Sequence, residues 1–516
     1  MAVTTFAAVD IGSYDVTLEV FEISKKNGIH CIDKIRHRLE LGRGSFTDGK
    51  IPPDMVDDLC SVLSDFRKIM KGYKVDAYSV IATSALREAQ NDLFILGKIR
   101  QKTGLDVRIL SNSEQRFLSY KAIASVESSL FEDMIRKGTA VVDLDGGSIQ
   151  LSLFDKSELI TTQNLRMGSL RIRERLQDAM ARTSNFDELV EQLIHHDLAS
   201  FKKMYLKDRK IENVILNGDF ITEMIFKDPK HRDRATRMVS RTNFSRWHQR
   251  IVGKSVTDLA IENSIPVEYA SLLRPSAIIY HRIVEEFDAA QIWTPGTHLS
   301  RGLAYEYAEK KQLLKARHDF GNDIVTSARY LAKRYDVSKP HILNMDMTAT
   351  AIFDAMKPLH GMDERERLML RVAVMLHDVG KYISYNLIGE SSYNIIMANE
   401  IIGLSHTDRE IIAVTARYMS DPLPEYEKIV LESSLDRLRY LKTAAFTAII
   451  RLAGALDRSH LQKVRKIDCR LKDDKLQIRL EIREDFSLET GLLEEDTSFF
   501  TEVFGVQPVI IASRTS

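Results

Sequence analysis

Thr139-Ala140-Val141-Val142-Asp143-Leu144-Asp145-Gly146-Gly147-Ser148-Ile149-Gln150-Leu151-Ser152-Leu153-Phe154 is the stretch on which the fold turns. An apolar run ends in an acidic Asp143-Leu144-Asp145, a Gly/Ser turn follows, and apolar and polar residues then alternate at period two. Those features spell strand, tight turn, strand. The same order stands near the N-terminus. Thr5-Phe6-Ala7-Ala8-Val9-Asp10 is apolar and ends in Asp, Ile11-Gly12-Ser13 breaks it, and Val16 to Ile23 alternates. Two matched units predict a duplicated α/β fold in which each lobe gives one turn to a shared cleft.

Outward from these turns, residues 54–72 read as a helix, with Met55, Leu59, Val62, Leu63, Phe66 and Met70 at helical spacing. A strand over Tyr78–Ala82 follows, then a helix opening near Arg87, a short strand at Val107–Leu110 and a helix over Ser113–Val126. From about residue 312 the strand signals give way to helical stretches. Alternation returns at Lys475–Ile482 before a short helix at Ser498–Gly505. The expected division is lobe I over 1–130, lobe II over 131–311, a helical domain over 312–470 and a small α+β region over 471–516.

The chain of 516 residues is long enough for several cores. Lys plus Arg equals Asp plus Glu at 73 each, so no global field draws it to nucleic acid or to a membrane. Cys31, Cys60 and Cys469 form no CxxC pair, which argues against a disulfide framework. No signal-peptide pattern opens the sequence, and no uncharged apolar run reaches about eighteen residues. A cytoplasmic protein is expected.

The two turns have the composition of anion cradles. Gly12 lets the backbone approach a phosphate, and the N–H groups of Gly12 and Ser13 can point at it. Gly146, Gly147 and Ser148 repeat the device. Asp10 and Asp143, at the strand ends, can hold a divalent cation or its waters. Gly, Asp and Ser also dominate ordinary hairpin turns, so it is the pairing of two such turns that points to phosphate. Arg87, in Ala82-Thr83-Ser84-Ala85-Leu86-Arg87-Glu88-Ala89, either grips a phosphate or is a solvated arginine beside a helix cap.

Asp10-Ile11-Gly12-Ser13, Ala82 to Asn91, the Asp143–Ser148 turn, Asn164 to Leu176 and Ser300 to Ala308 together resemble the exopolyphosphatase / guanosine pentaphosphate phosphohydrolase (Ppx/GppA) family. The resemblance runs in consistent order over nearly the whole chain. It implies an actin-like (ribonuclease H-like) fold, Mg²⁺, and cleavage of the terminal phosphoanhydride of polyphosphate or guanosine pentaphosphate; homodimers are frequent in the family. The family's general base lies in a segment matching Leu110 to Phe117, and Glu114 falls on it, with Arg87 and Asp143 beside it in the expected site. Elsewhere Glu114 would only decorate a helix N-terminus. The chain departs from the family pattern at Tyr14, Asp15, Gln115 (a Glu in the family), Phe117, Asp145 (a Gly) and Gln150 (an acid). These departures leave open a second reading, a non-catalytic sensor that binds polyphosphate, guanosine pentaphosphate or guanosine tetraphosphate.

Met375-Leu376-His377-Asp378-Val379-Gly380 places a His-Asp pair on an apolar helix. With His341 upstream and Asp457 downstream it resembles the HD phosphohydrolase superfamily, which implies an HD-type domain and a possible metal site at His341, His377, Asp378 and Asp457. Residues 227–254 hold nine Lys/Arg against two acids around Trp247, and Arg166, Arg171, Arg173 and Arg175 follow the second turn. A basic strip of this kind either guides a polyanion or is a solvated face. No nucleic-acid-binding motif is present, and none is expected to be needed.

Overall fold

A computed structural model of the chain describes residues 3–180, 185–218, 225, 237–314 and 318–514. They form two compact units, Met1–Asp319 and Phe320–Ser516.

The first unit is built on two mixed sheets. In one, strands β1 (Thr4–Ile11), β2 (Asp15–Ser24), β3 (Gly28–Arg38), β4 (Ala77–Ala82) and β5 (Arg108–Ile109) lie in the order β3-β2-β1-β4-β5. In the other, β6 (Thr139–Leu144), β7 (Ile149–Asp155), β8 (Glu158–Leu165), β9 (Asn213–Asn217), β10 (Met238–Ser240) and β11 (Gln291–Trp293) lie in the order β10-β11-β9-β6-β7-β8. β1 is antiparallel to β2 and parallel to β4; β6 is antiparallel to β7 and parallel to β9. The first four strands of one sheet are thus repeated by β6 to β9, the duplicated α/β arrangement expected from the two turns. β1 is apolar and buried over Phe6–Val9 because it is central, flanked on both edges and covered by helix Pro53–Gly72. Val9 and Ile11 share a buried core with Leu59, Leu63 and Phe66 of that helix. Each fully buried side chain of this kind contributes about 1.5–3 kcal/mol.

Two local expectations change. Arg87 lies near the end of a five-residue helix, Ser84–Glu88, and a separate helix, Asp92–Thr103, follows it. β3 has no counterpart in the sequence reading. It is an edge strand, and most of its residues face solvent at least partly, so polar side chains hide the alternation.

The second unit is mainly helical. Its helices include Phe320–Arg334, Lys339–His360, Glu364–Leu376, His406–Arg417 and Arg437–Ala455. A three-stranded sheet closes it, with β12 (Val464–Lys472) antiparallel and β14 (Gln507–Arg514) parallel to the central β13 (Lys475–Ile482). The sheet starts at Val464, ahead of the alternation legible at Lys475, because β12 is charged and largely exposed. Among the described residues no helix is long and apolar enough to cross a membrane.

Candidate active site

The duplicated strands bring their turns to one open cleft. Asp10 and Asp143 come from the C-terminal ends of β1 and β6, and both line it, as do Gly12, Ser13, Asp145 and Gly146.

The first turn is only partly self-satisfied. The Gly12 N–H donates to the Asp15 carbonyl at 2.9 Å, so it closes the turn instead of facing a ligand. Ser13 shares a 2.6 Å hydroxyl contact with Ser84, while its own N–H has no partner among the described residues. Asp10 Oδ1 is buried without a hydrogen-bond partner. Burial, then the charges of Asp15, Glu19 and Asp145, push the Asp10 carboxyl up to about 7.

The second turn is differently wired. Asp145 Oδ1 accepts the N–H groups of Gly147 at 2.7 Å and Ser148 at 2.6 Å, and its Oδ2 accepts from Gln115 Nε2 at 2.8 Å. Of the three residues expected to cradle a phosphate here, Gly147 and Ser148 therefore have their amides taken by the chain itself. The Gly146 N–H has no partner among the described residues. Gly147 is required by packing: a Cβ there would lie 2.5 Å from Ser84 Oγ and 2.9 Å from the Phe46 ring. Arg171 props the turn from behind, donating to the Gly147 carbonyl at 2.8 Å. Asn217 donates to Asp143 at 3.2 Å, and burial raises the Asp143 carboxyl to about 6. Gln150 pairs opposite Asp143 and so shares its face of the sheet; both of its side-chain polar atoms are buried without partners.

Two expected catalytic residues do not face the cleft. Glu114 is the third residue of helix Asn112–Val126 and closes a capping box with Ser111. Its Oε2 accepts from the Ser111 N–H at 3.0 Å and hydroxyl at 2.8 Å, and Arg108 contacts its Oε1 at 3.2 Å. The helix start claims its carboxylate, so it is not aimed at a substrate. Gln115, one residue on, lines the cleft instead. Arg87 is also drawn inward: it donates to the Leu110 carbonyl at 2.6 Å and to Gln115 Oε1 at 3.3 Å.

Several cleft residues were invisible in the sequence. Lys34 and Arg36 reach it from β3, the strand whose signal was hidden; Arg36 also pairs with Asp15 at 2.8 Å. His298, Leu299 and Ser300 bring the N-terminal end of helix Leu299–Lys310, a positive dipole end suited to anions. Of the basic segments, Lys227, Lys230, Arg232 and Arg234 lie outside the described residues. Arg171 and Arg173 are committed to Glu88, Glu40 and Glu174, and neither lines the cleft.

The sequence model of the Ppx/GppA phosphatase family matches residues 20–311, and that of the family's domain III matches residues 325–498. The chain belongs to the Ppx/GppA phosphatase family. It is 20% identical over 444 residues to the guanosine-5'-triphosphate,3'-diphosphate pyrophosphatase of Photobacterium profundum, covering 85% of this chain and 86% of that one. The protein of the same name from Vibrio cholerae is 21% identical over 453 residues, with 85% and 86% covered. An exopolyphosphatase structure from Cytophaga hutchinsonii, 17% identical, matches 60% of this chain and 98% of its own with a TM-score of 0.52, a likeness of fold. The phosphoanhydride-hydrolase class expected from the sequence is the class of these Ppx/GppA relatives.

The part of the chain matched by the Ppx/GppA domain III holds a second cluster. His341, Asp378 and His460 bring one ligand atom each within 4.8 Å of one another, and no other such group of three His, Cys, Asp or Glu occurs among the described residues. This differs from the expected set. Asp457 accepts from His341 Nδ1 at 2.7 Å and from the Gln462 N–H at 2.8 Å, so it orients a ligand. His377 donates its Nδ1–H to the Val374 carbonyl at 2.7 Å and lies outside the group, while His460 stacks on His341 at 3.7 Å.

Proposed function

We propose that the chain is an exopolyphosphatase-type hydrolase that releases terminal phosphate from inorganic polyphosphate or guanosine pentaphosphate. The cleft lies between residues 1–130 and 131–311, taken as two lobes. The observation that carries this reading is the pair Asp10 and Asp143, on duplicated strand ends, lining one cleft together with Ser13 and Gly146, whose amides have no partner among the described residues.

Mg²⁺ fits the cleft. Asp10 Oδ1 and both polar atoms of Gln150 are buried without partners, and burial and neighbouring acids raise the Asp10 and Asp143 carboxyls. Such oxygens gain most from a hard cation. Asp10 and Asp143 would hold it, with the Gln150 amide as a weaker third oxygen. Bound there, Mg²⁺ would supply positive charge against the phosphate oxygens.

The chain's own groups then bind and orient. The Ser13 and Gly146 amides, Lys34, Arg36 and the helix start at Leu299 receive the phosphate oxygens. Gln115 orients the attacking water, and Arg87 holds Gln115. An amide positions water without taking its proton, which phosphoryl transfer through a loose transition state tolerates. The test is phosphate release from long-chain polyphosphate and from guanosine pentaphosphate, each with Mg²⁺. A folded protein that releases nothing from either sinks the reading.

The sensor reading is favoured by one observation: the carboxylate of Glu114 is turned into its own helix cap, leaving an amide, Gln115, on that side of the cleft. Binding of the same ligands by calorimetry without release would select it.

Residues 312–470 are read as an HD-type domain and 471–516 as a small α+β region, supported by the order His341, His377-Asp378, Asp457 and by the His341–Asp378–His460 group. In this reading the domain holds a divalent metal structurally. Metal content that stays equal in wild type and His460→Ala would refute it. A cytoplasmic homodimer is the expected form, which cell fractionation and sedimentation would check.

A further inference from the structure

We propose that Asp145 fills the second phosphate subsite of the cleft with its own carboxylate and so lowers the affinity of the cleft for a phosphate chain. This rests on the reading of the cleft as a phosphate site, but not on its turning over a substrate. In the turn after Asp145 two consecutive backbone N–H groups, those of Gly147 and Ser148, are aimed at one point, as in an anion-binding turn. That point is held by Asp145 Oδ1, at 2.7 Å from the Gly147 nitrogen and 2.6 Å from the Ser148 nitrogen. The Ser148 hydroxyl lies 3.5 Å from the same oxygen.

The second oxygen fixes the first. Gln115 Nε2 donates to Asp145 Oδ2 at 2.8 Å, and Arg87 in turn holds Gln115 Oε1 at 3.3 Å. The carboxylate is therefore tethered from both sides of the cleft. A phosphate oxygen and Asp145 Oδ1 cannot take the same two N–H groups, and the two anions also repel. A phosphate chain entering the cleft finds one unpartnered amide at each turn, that of Ser13 at the first and that of Gly146 at the second. The chain thus binds a phosphate chain with fewer backbone contacts than its backbone could make.

The test is calorimetric titration of the full chain with tripolyphosphate and Mg²⁺. Removing the carboxylate in Asp145→Gly or Asp145→Ala should tighten binding about tenfold or more, since two charge-assisted hydrogen bonds become available. Asp145 does not have positive φ, so alanine keeps the backbone and serves if the glycine variant folds poorly. Asp145→Asn keeps an oxygen on the nest without the charge, and it should tighten binding much less. Equal gains in the asparagine and alanine variants would reduce the effect to charge repulsion and overturn the proposal. Unchanged or weaker binding in Asp145→Gly and Asp145→Ala would overturn it too. Because the readout is binding, a chain that hydrolyses nothing would defeat the hydrolase reading and leave this one standing.

Discussion

The two turns of the cleft descend from one structural pattern and end in different states. At the first, Gly12 closes the turn through Asp15, Asp10 keeps an unpartnered oxygen, and the Ser13 amide is left over. At the second, the chain supplies its own anion: Asp145 takes two of three amides, and Gln150 stands opposite Asp143 where Thr17 stands opposite Asp10. Equal strands therefore do not make equal subsites. The backbone sets where an anion is welcomed, and a single side chain decides whether the place is vacant.

The largest effect should come from the feature the turns share. Asp10→Ala and Asp143→Ala should each cut phosphate release on the order of a hundredfold or more, as expected when charge-stabilising groups are lost from a phosphoryl-transfer site. If only one of them matters, the cleft does not work as a symmetric pair of strand ends.

A smaller effect is expected where the turns differ. Gln150→Glu adds a full charge beside Asp143, so half-maximal release should need roughly three- to tenfold less Mg²⁺. A Mg²⁺ curve that does not move would mean that Gln150 takes no part in holding the cation.

Stability should show the burial of the strand-end carboxyls. The folded Asp10 carboxyl is raised to about 7 from 3.8, so between those values the folded chain keeps a proton that the unfolded chain has released. Its ionisation then costs stability, and the cost grows as pH rises through that window. In metal-free protein, Asp10→Asn should melt above wild type at pH 8 and level with it at pH 4. After allowance for solvent screening the gain is on the order of 1–2 kcal/mol. A melting difference that is the same at both pH values would contradict the assigned cause.

The smallest change concerns the residue beside the cleft. Glu114→Gln should leave turnover within about twofold and cost roughly 0.5–1 kcal/mol through the weakened helix cap. A hundredfold loss of rate would restore Glu114 as the base and imply that the helix start rearranges around substrate.

The sequence by itself determined the framework. Apolar runs ending in Asp10 and Asp143, each followed by a Gly/Ser turn and an alternating strand, specify two central strands and two hairpins, because side-chain period and turn chemistry are local. The matched order of the Ppx/GppA segments carried the class. Only the tertiary structure decided what the site residues do. Glu114 and Gln115 are neighbours in sequence, yet the rotation of about 100° between successive helical residues sends the first into its own cap and the second into the cleft. Asp145 reads as an added charge; its Oδ1 meets the Gly147 and Ser148 amides within its own turn, but its Oδ2 finds Gln115 only once the lobes fold. Lys34 and Arg36 reach the cleft from an edge strand whose polarity masked it. His460 stands with His341 and Asp378, while Asp457 is held by His341. Hydrogen bonds between distant segments are settled by competition among all available partners, and that competition exists only in the folded chain.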